Sequence, residues 1–211
     1  MIVTLDGPGG TGKSTVSRQL AERAGLPHLD TGAFYRATTL AVLEAGVDPS
    51  DEKSVVAVVT DLTMSQEDGR MYLDGRDVSA EIRTDPVTSS VSAVSAHPGV
   101  REHLVELQRE WVAEHGGGVV EGRDIGSVVF PDAALKIFLD ASPEVRARRR
   151  ALETGEPFDE VLVDLNRRDR LDSSRTASPL RIPDEAIVVD TSELSLEEVV
   201  DQLVGLIAAK S

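Results

Sequence analysis

The chain has 211 residues, no cysteine and a formal net charge of −15. That length suits one domain whose core needs no disulfide or structural metal, and the missing cysteines exclude Cys-bound zinc and fit a reducing cytoplasm. So acidic a surface repels nucleic-acid backbones and anionic membranes, leaving small anions in a locally positive cleft as the polyanion chemistry still open.

The opening Met1-Ile2-Val3-Thr4-Leu5-Asp6 has no basic segment and reads as a short buried strand over Ile2–Leu5, so no signal peptide is expected. No apolar run approaches the ~20 residues of a membrane helix. A helix is expected over Lys13–Ala24, stopped by Gly25, then a short strand at Pro27–Asp30 and a helix from Thr31 to Ala45 closed by Gly46. Another helix starts at Asp48-Pro49-Ser50 and runs to about Val59. Residues 61–78 change character. Strands at Leu62–Ser65, Met71–Leu73 and Arg76–Val78, with turns at 66–69 and 74–75, predict a small antiparallel meander. Helices follow at about 86–96 and 99–114, the second ended by Gly116-Gly117-Gly118. Strands are expected at Val119–Glu121 and Leu135–Leu139, helices from Pro143 to about Glu153 and from Phe158 to about Asp172, a strand at Ile187–Val189 and a last helix over Leu196–Ala209. Strands alternating with helices predict an α/β fold of the doubly wound type, a parallel sheet between helical layers.

Gly7-Pro8-Gly9-Gly10-Thr11-Gly12-Lys13-Ser14-Thr15 carries the G-x-x-x-x-G-K-[ST] spacing between a strand and a helix. Glycines let the loop turn its N–H groups onto phosphate oxygens, Lys13 brings a mobile ammonium to the β- and γ-phosphates, and the Ser14 hydroxyl suits Mg²⁺. ATP with Mg²⁺ is therefore the expected donor. Switch GTPases read guanine with an Asn-Lys-x-Asp segment, and none of the four lysines here follows an asparagine. A small kinase is the natural remainder.

On the acceptor side, Asp30-Thr31-Gly32-Ala33-Phe34-Tyr35-Arg36 opens a helix, with Thr31 and Arg36 about 1.4 turns apart and able to face one phosphate. The plain alternative makes Thr31 a helix cap and Arg36 a solvated surface residue. Glu121-Gly122-Arg123-Asp124 follows a strand, on the ligand side of an open sheet, or is an ordinary polar turn. Arg146, Arg148, Arg149 and Arg150, then Arg167, Arg168, Arg170 and Arg175, form either a salt-bridged surface or a lid that closes on transferring phosphates. Arg168 and Asp172 share a helical face at i,i+4, with Arg175 one turn on.

Together the segments 5–15, 30–36, 77–83, 122–131 and 136–141 resemble the bacterial cytidylate kinases, a family of nucleoside monophosphate kinases. The strings Asp-x-Gly-Ala-x-Tyr-Arg and Gly-Arg-Asp-x-Gly-x-Val-Val-Phe-Pro are the most specific, and the resemblance covers essentially the whole chain. It implies a P-loop three-layer αβα fold with a five-stranded parallel sheet, an inserted antiparallel meander and an Arg-rich helical lid. It implies one domain over 1–211, with a core at 1–60, 98–150 and 180–211, a monophosphate-binding insertion at about 61–97 and a lid at about 151–179. It implies transfer of the ATP γ-phosphoryl to CMP or dCMP by a cytoplasmic monomer. Lys13, Arg168 and Arg175 would be catalytic. Thr31, Arg36 and Arg123 would hold the acceptor and its phosphate, Ser92, Arg101 and Asp124 would read cytosine, and Asp172 would bind the sugar hydroxyls beside Arg168 and Arg175. A kinase of another small acceptor such as UMP, or a nucleotide-binding regulator without transfer activity, remains open at this level. Glu121 stands where the family often has Asp, so its part near Mg²⁺ is left unassigned, as are the separate parts of Arg146, Arg148, Arg149, Arg150, Arg167 and Arg170. His28, His97, His103 and His115 are scattered and are given no catalytic part.

Overall fold

The computed structural model describes residues 1–174 and 178–210. In chain order its elements are β1 (Ile2–Asp6), α1 (Lys13–Ala24), β2 (His28–Asp30), α2 (Thr31–Glu44), α3 (Glu52–Thr60), β3 (Met64–Glu67), β4 (Arg70–Leu73), β5 (Arg76–Asp77), α4 (Asp85–Val94), α5 (Pro98–Glu114), β6 (Gly118–Glu121), β7 (Leu135–Asp140), α6 (Pro143–Thr154), α7 (Phe158–Ser174), β8 (Ile187–Asp190) and α8 (Leu196–Ala208). They form two compact units, Met1–His28 with Glu114–Ser211, and Leu29–Ala113. The expected insertion at about 61–97 lies wholly within the second.

The parallel sheet has the strand order β2-β6-β1-β7-β8, and all of it but Leu29 and Asp30 of β2 belongs to the first unit. β1 lies between β6 and β7, and Leu5 pairs with Glu121 on one side and Ile137 on the other. The central strands are mostly apolar because both faces of the sheet are covered. Val3, Leu5, Val119, Ile137 and Leu139 share one core with Val16, Leu20 and Ala21 of α1 and Val199, Val200 and Leu203 of α8. Gly12 and Gly25, both with φ near the left-handed region (87° and 65°), bracket α1. Ser195 and Glu198 start α8 with a reciprocal capping box. The helices α6 and α7 pack through a separate small core of Ala147, Val161 and Leu165.

One feature had no signal in the sequence. After Asp124 the chain makes a short, wide-turned helical segment, Ile125–Val129. Asp6 supports it: Oδ1 accepts the Ile125 N–H and Oδ2 the Gly126 N–H, each at 2.7 Å. The buried carboxylate at the end of β1 thus meets its hydrogen-bond requirement on the following turn.

In the second unit α2 packs against α3, α4 and β4. Phe34, Ala37, Val55, Val59, Met71, Ile82, Val87 and Val94 are buried there. The meander forms as a three-stranded sheet in the order β3-β4-β5. Its two turns are Asp68-Gly69 (φ 49° and 73°) and Asp74-Gly75 (φ 49° and 77°), the Asp-Gly pairs favoured where both central residues need positive φ. The first strand differs from expectation. Gln66 and Glu67 belong to β3, paired with Met71 and Arg70, and not to the turn. The reason is burial: the Gln66 Oε1 accepts the Asp30 N–H at 3.0 Å, so a polar residue is held inside and the turn shrinks to Asp68-Gly69.

Candidate active site

In the first unit the glycine-rich segment expected to cradle phosphates is the loop between β1 and α1. Three successive carbonyls on it are each engaged by a cation. Arg123 Nη1 donates to Gly7 O at 3.1 Å, Lys13 Nζ to Pro8 O at 2.7 Å, and Arg146 Nη1 to Gly9 O at 3.0 Å. Gly7 has φ 145°, and a Cβ there would lie 2.1 Å from the Leu139 carbonyl oxygen of β7, so no side chain fits. A Cβ on Gly10 would meet that of Arg146 at 3.0 Å. The loop is therefore pressed against the sheet on one side and α6 on the other.

Lys13 is half-buried, and crowding of protein around its ammonium, reinforced by the Arg123 charge, brings its pKa down to about 7 against the pull of Glu121, Asp6 and Asp169. Asp6 is pushed up to about 6, chiefly by burial, against the two N–H groups it accepts. The Ser14 hydroxyl donates to Glu121 Oε2 at 2.9 Å, and the other oxygen, Oε1, lies 3.3 Å from His28 Nε2. Burial alone would raise the Glu121 pKa; His28, Lys13 and the Ser14 hydroxyl outweigh it and hold the carboxyl below its ordinary value.

The segment after β6 is more than a polar turn. Asp124 is buried at 4% exposure, and Arg123 reaches both the loop and Asp172, whose Oδ2 lies 3.4 Å from its Nε. Asp172 is itself buried on α7. Arg168, one turn earlier, is half-buried with its Nε shielded from solvent and without a hydrogen-bond partner. Burial and the neighbouring Arg123 charge lower its pKa, while Asp172 and Asp164 oppose this. Cations held this close, with one donor unsatisfied, make a site suited to a polyvalent anion. Arg175 lies outside the described residues.

The remaining arginines divide. Arg146 is buried, with Asp169 Oδ2 at 2.7 Å from its Nη1 and the Ala141 carbonyl at 3.0 Å from its Nε. Arg149 donates to Thr191 Oγ1 at 3.0 Å. Arg150 and Arg167 make i,i+3 pairs with Glu153 and Asp164 on the surface, as the salt-bridged alternative foresaw for this stretch.

In the second unit the cap of α2 is Asp30, which accepts the Ala33 N–H at 3.1 Å. Thr31 is the first residue inside the helix and is buried. Arg36 is not a solvated residue: its Nη1 donates to Ile82 O at 3.2 Å and Thr88 Oγ1 at 2.9 Å. Arg101, only 5% exposed, sits with its guanidinium carbon 5.3 Å from the centre of the Tyr35 ring and donates to Ser95 O at 3.3 Å. Ser92 is half-buried on α4, one turn before Ser95. Tyr35, Thr88, His28 and Glu121 escaped assignment from the sequence; the strand-end position of Glu121 was the one usable signal among them.

The fold is shared with solved structures at low identity. A gluconokinase from Sinorhizobium meliloti 1021 superposes with TM-score 0.53 and 18% identity over 99% of this chain and 91% of that one. TT1252 from Thermus thermophilus gives 0.51 and 22% over all of this chain and 97% of that one. Sequence comparison is more specific. A family model described as cytidylate kinase matches residues 3–209. The chain belongs to the cytidylate kinase family. Cytidylate kinase of Mycobacterium leprae (strain Br4923) is 51% identical over 216 residues, covering all of this chain and 97% of that protein. Cytidylate kinase of Nocardia farcinica (strain IFM 10152) is 52% identical over 217 residues, covering 99% and 94%. This is a phosphotransferase family. Among the described residues no helix is long and apolar enough to cross a membrane.

Proposed function

We propose that the protein transfers the γ-phosphoryl group of ATP to CMP and dCMP, forming CDP or dCDP and ADP. Membership of the cytidylate kinase family over residues 3–209, together with an intact cradle, carries this reading. The half-identical relatives do not favour UMP as the principal acceptor.

An oxygen of the CMP phosphate attacks the γ-phosphorus as the bond to the β,γ-bridging oxygen breaks, so ADP leaves with the electron pair. The attacking oxygen is already anionic and needs no strong base, which leaves positioning and charge stabilisation as the protein's task. Lys13 meets the β- and γ-phosphates, and Arg123, Arg168 and Arg175 neutralise the transferring group. Thr31 and Arg36 hold the acceptor phosphate, and Asp172 the sugar hydroxyls. Asp124 and Ser92 accept from the cytosine N4 amine, and Arg101 donates to its O2 and N3. A base that leaves these polar groups unpaired is strongly rejected. The Ser14 hydroxyl beside the Glu121 carboxylate is a hard-oxygen set that fits Mg²⁺, which takes few protein ligands and relies on substrate phosphates for the rest. Ser14 would hold the ion, which when bound offsets charge on the β- and γ-phosphates. We further infer a cytoplasmic monomer.

Coupled ADP release measured across CMP, dCMP, UMP and AMP tests the reading. Turnover with CMP and dCMP far above the other two is expected; equal rates across the panel, or ATP binding without acceptor-dependent release, would overturn it.

A further inference from the structure

His28 is a polar residue in a short strand, with a side chain 12% exposed, and the phosphoryl-transfer scheme above makes no use of it. Its Nε2 has two neighbours: Ser17 Oγ at 2.9 Å and Glu121 Oε1 at 3.3 Å. The chemistry of those neighbours fixes the proton. An ionised carboxylate only accepts, so an imidazole nitrogen facing it must carry hydrogen. The Ser17 hydroxyl meanwhile donates to the Ser14 carbonyl at 3.3 Å, so its oxygen is available to accept from the same Nε2–H. Ser14 closes the circuit by donating its own hydroxyl to Glu121 Oε2 at 2.9 Å.

We infer that His28 is a positioning residue for the metal-binding end of the cradle: with Ser17 and Glu121 it closes a four-residue ring that fixes both the backbone and the hydroxyl of Ser14. Each member has a different task. Ser17 steadies the Ser14 carbonyl and Glu121 orients the Ser14 hydroxyl. His28 holds the Glu121 carboxylate from behind, so that its other oxygen stays on Ser14. Glu121 is 3% exposed, and a carboxylate that deep is costly to keep in place without a donor. Without the imidazole the carboxylate loses its contact at Oε1, and the Ser14 hydroxyl is held less firmly in direction. Outer partners of this kind alter metal affinity or activity by ~10–100-fold when removed.

The inference rests on the proposed ATP·Mg²⁺ chemistry for its ligand, but its first readout is binding rather than turnover. ATP titrated calorimetrically into native protein, His28→Leu and His28→Gln, in EDTA and again in excess Mg²⁺, separates the cases. Leucine fills the space and cannot donate; the glutamine amide can. The expected result is unchanged affinity for metal-free ATP in all three proteins, with MgATP binding ~10-fold weaker in His28→Leu and largely restored in His28→Gln. A matching rise in the Mg²⁺ concentration for half-maximal CDP formation, with KM for CMP unchanged, is the kinetic counterpart. Adding Glu121→Gln to His28→Leu is expected to cost little more than Glu121→Gln alone, since the imidazole acts through that carboxylate. Equal loss of both forms of ATP in His28→Leu, no loss of either, or failure of His28→Gln to restore MgATP binding would each overturn the assignment. Native protein that binds MgATP yet forms no CDP would instead refute the proposed reaction and leave the ring to be judged on the binding data alone.

Discussion

Binding of ATP is expected to draw a proton from solution onto Lys13. With its pKa near 7 in the unliganded protein, the side chain is about nine-tenths neutral at pH 8. A triphosphate arriving beside it supplies negative charge at close range, which favours the ammonium and raises the pKa well above that pH. The uptake is then ~0.9 proton per ATP at pH 8, ~0.5 at pH 7 and ~0.1 at pH 6. The γ-phosphate of ATP, with a last pKa of about 6 by analogy with phosphate monoesters, is already ionised at pH 8 and contributes little there. Calorimetry at pH 8 in buffers of different ionisation enthalpy reads the number directly, as the slope of observed enthalpy against buffer enthalpy. Lys13→Arg is the control, because a guanidinium stays charged in both states and its slope should be near zero. A native slope near zero, or one of opposite sign, would show that the ammonium is already charged in the empty cradle. The same shift has a consequence for folding. Between about 7 and 10.5 the unfolded chain holds a proton on Lys13 that the folded chain lacks, so this group makes stability rise with pH across that window and fall as pH drops from 10.5 towards 7, below which both states carry the proton and the dependence ends.

Other outcomes follow from the same geometry. Arg168→Ala should lower turnover by ~10²–10³-fold while leaving the thermal midpoint near native, by analogy with loss of an oxyanion donor; near-normal CDP formation would remove Arg168 from the transfer step. Arg36→Ala should raise KM for CMP by ~10–100-fold, with KM for ATP unchanged, since a charged hydrogen bond is worth about 1.5–3 kcal/mol; parallel changes in both would argue against a role on the acceptor side. Gly7→Ala places a methyl 2.1 Å from a strand carbonyl at φ 145° and should cost about 2–4 kcal/mol in urea unfolding. Leu5→Ala, in the fully buried centre of the sheet, should cost about 2–5 kcal/mol by the same measurement.

What could be read from the sequence was what is encoded locally. The cradle is legible because its glycines, lysine and serine act within nine residues of one another. The meander's turns are legible because Asp-Gly pairs suit positive φ wherever they fall. The Arg146–Asp169 pair and the Ser14–Glu121 bond were not, because residues 14 and 121 meet only through a strand order that sets β6 beside β1. Gln66 misled for a related reason. A glutamine next to Glu-Asp-Gly looks like turn, and only its long-range bond to the Asp30 amide explains a buried strand position. Arg36 lies on the helix its sequence predicts, yet its partners Ile82 and Thr88 arrive from segments 46 and 52 residues away. Thr31 as cap is off by one position: Asp30 is the last residue before the helix, and its carboxyl oxygen takes the Ala33 amide.

The three cations on the cradle's carbonyls also bear on how fast and how cheaply an anion is captured. No peptide bond among the described residues is cis, so the engaged oxygens of Pro8 and Gly9 turn the N–H groups of Gly9 and Gly10 to the opposite side, while the Gly7–Pro8 peptide has no N–H to turn. Lys13 and Arg146 thereby aim the amides of Gly9 and Gly10 before any ligand arrives, while Arg123 fixes the Gly7 carbonyl at the start of the loop. Little chain entropy is then left to lose on binding. Two of the clamps are arginines anchored by Asp172 and Asp169 and can stay where they are. Lys13 alone has to let go of its carbonyl, so capture becomes the exchange of a single hydrogen bond, and the empty loop behaves as a mould already set.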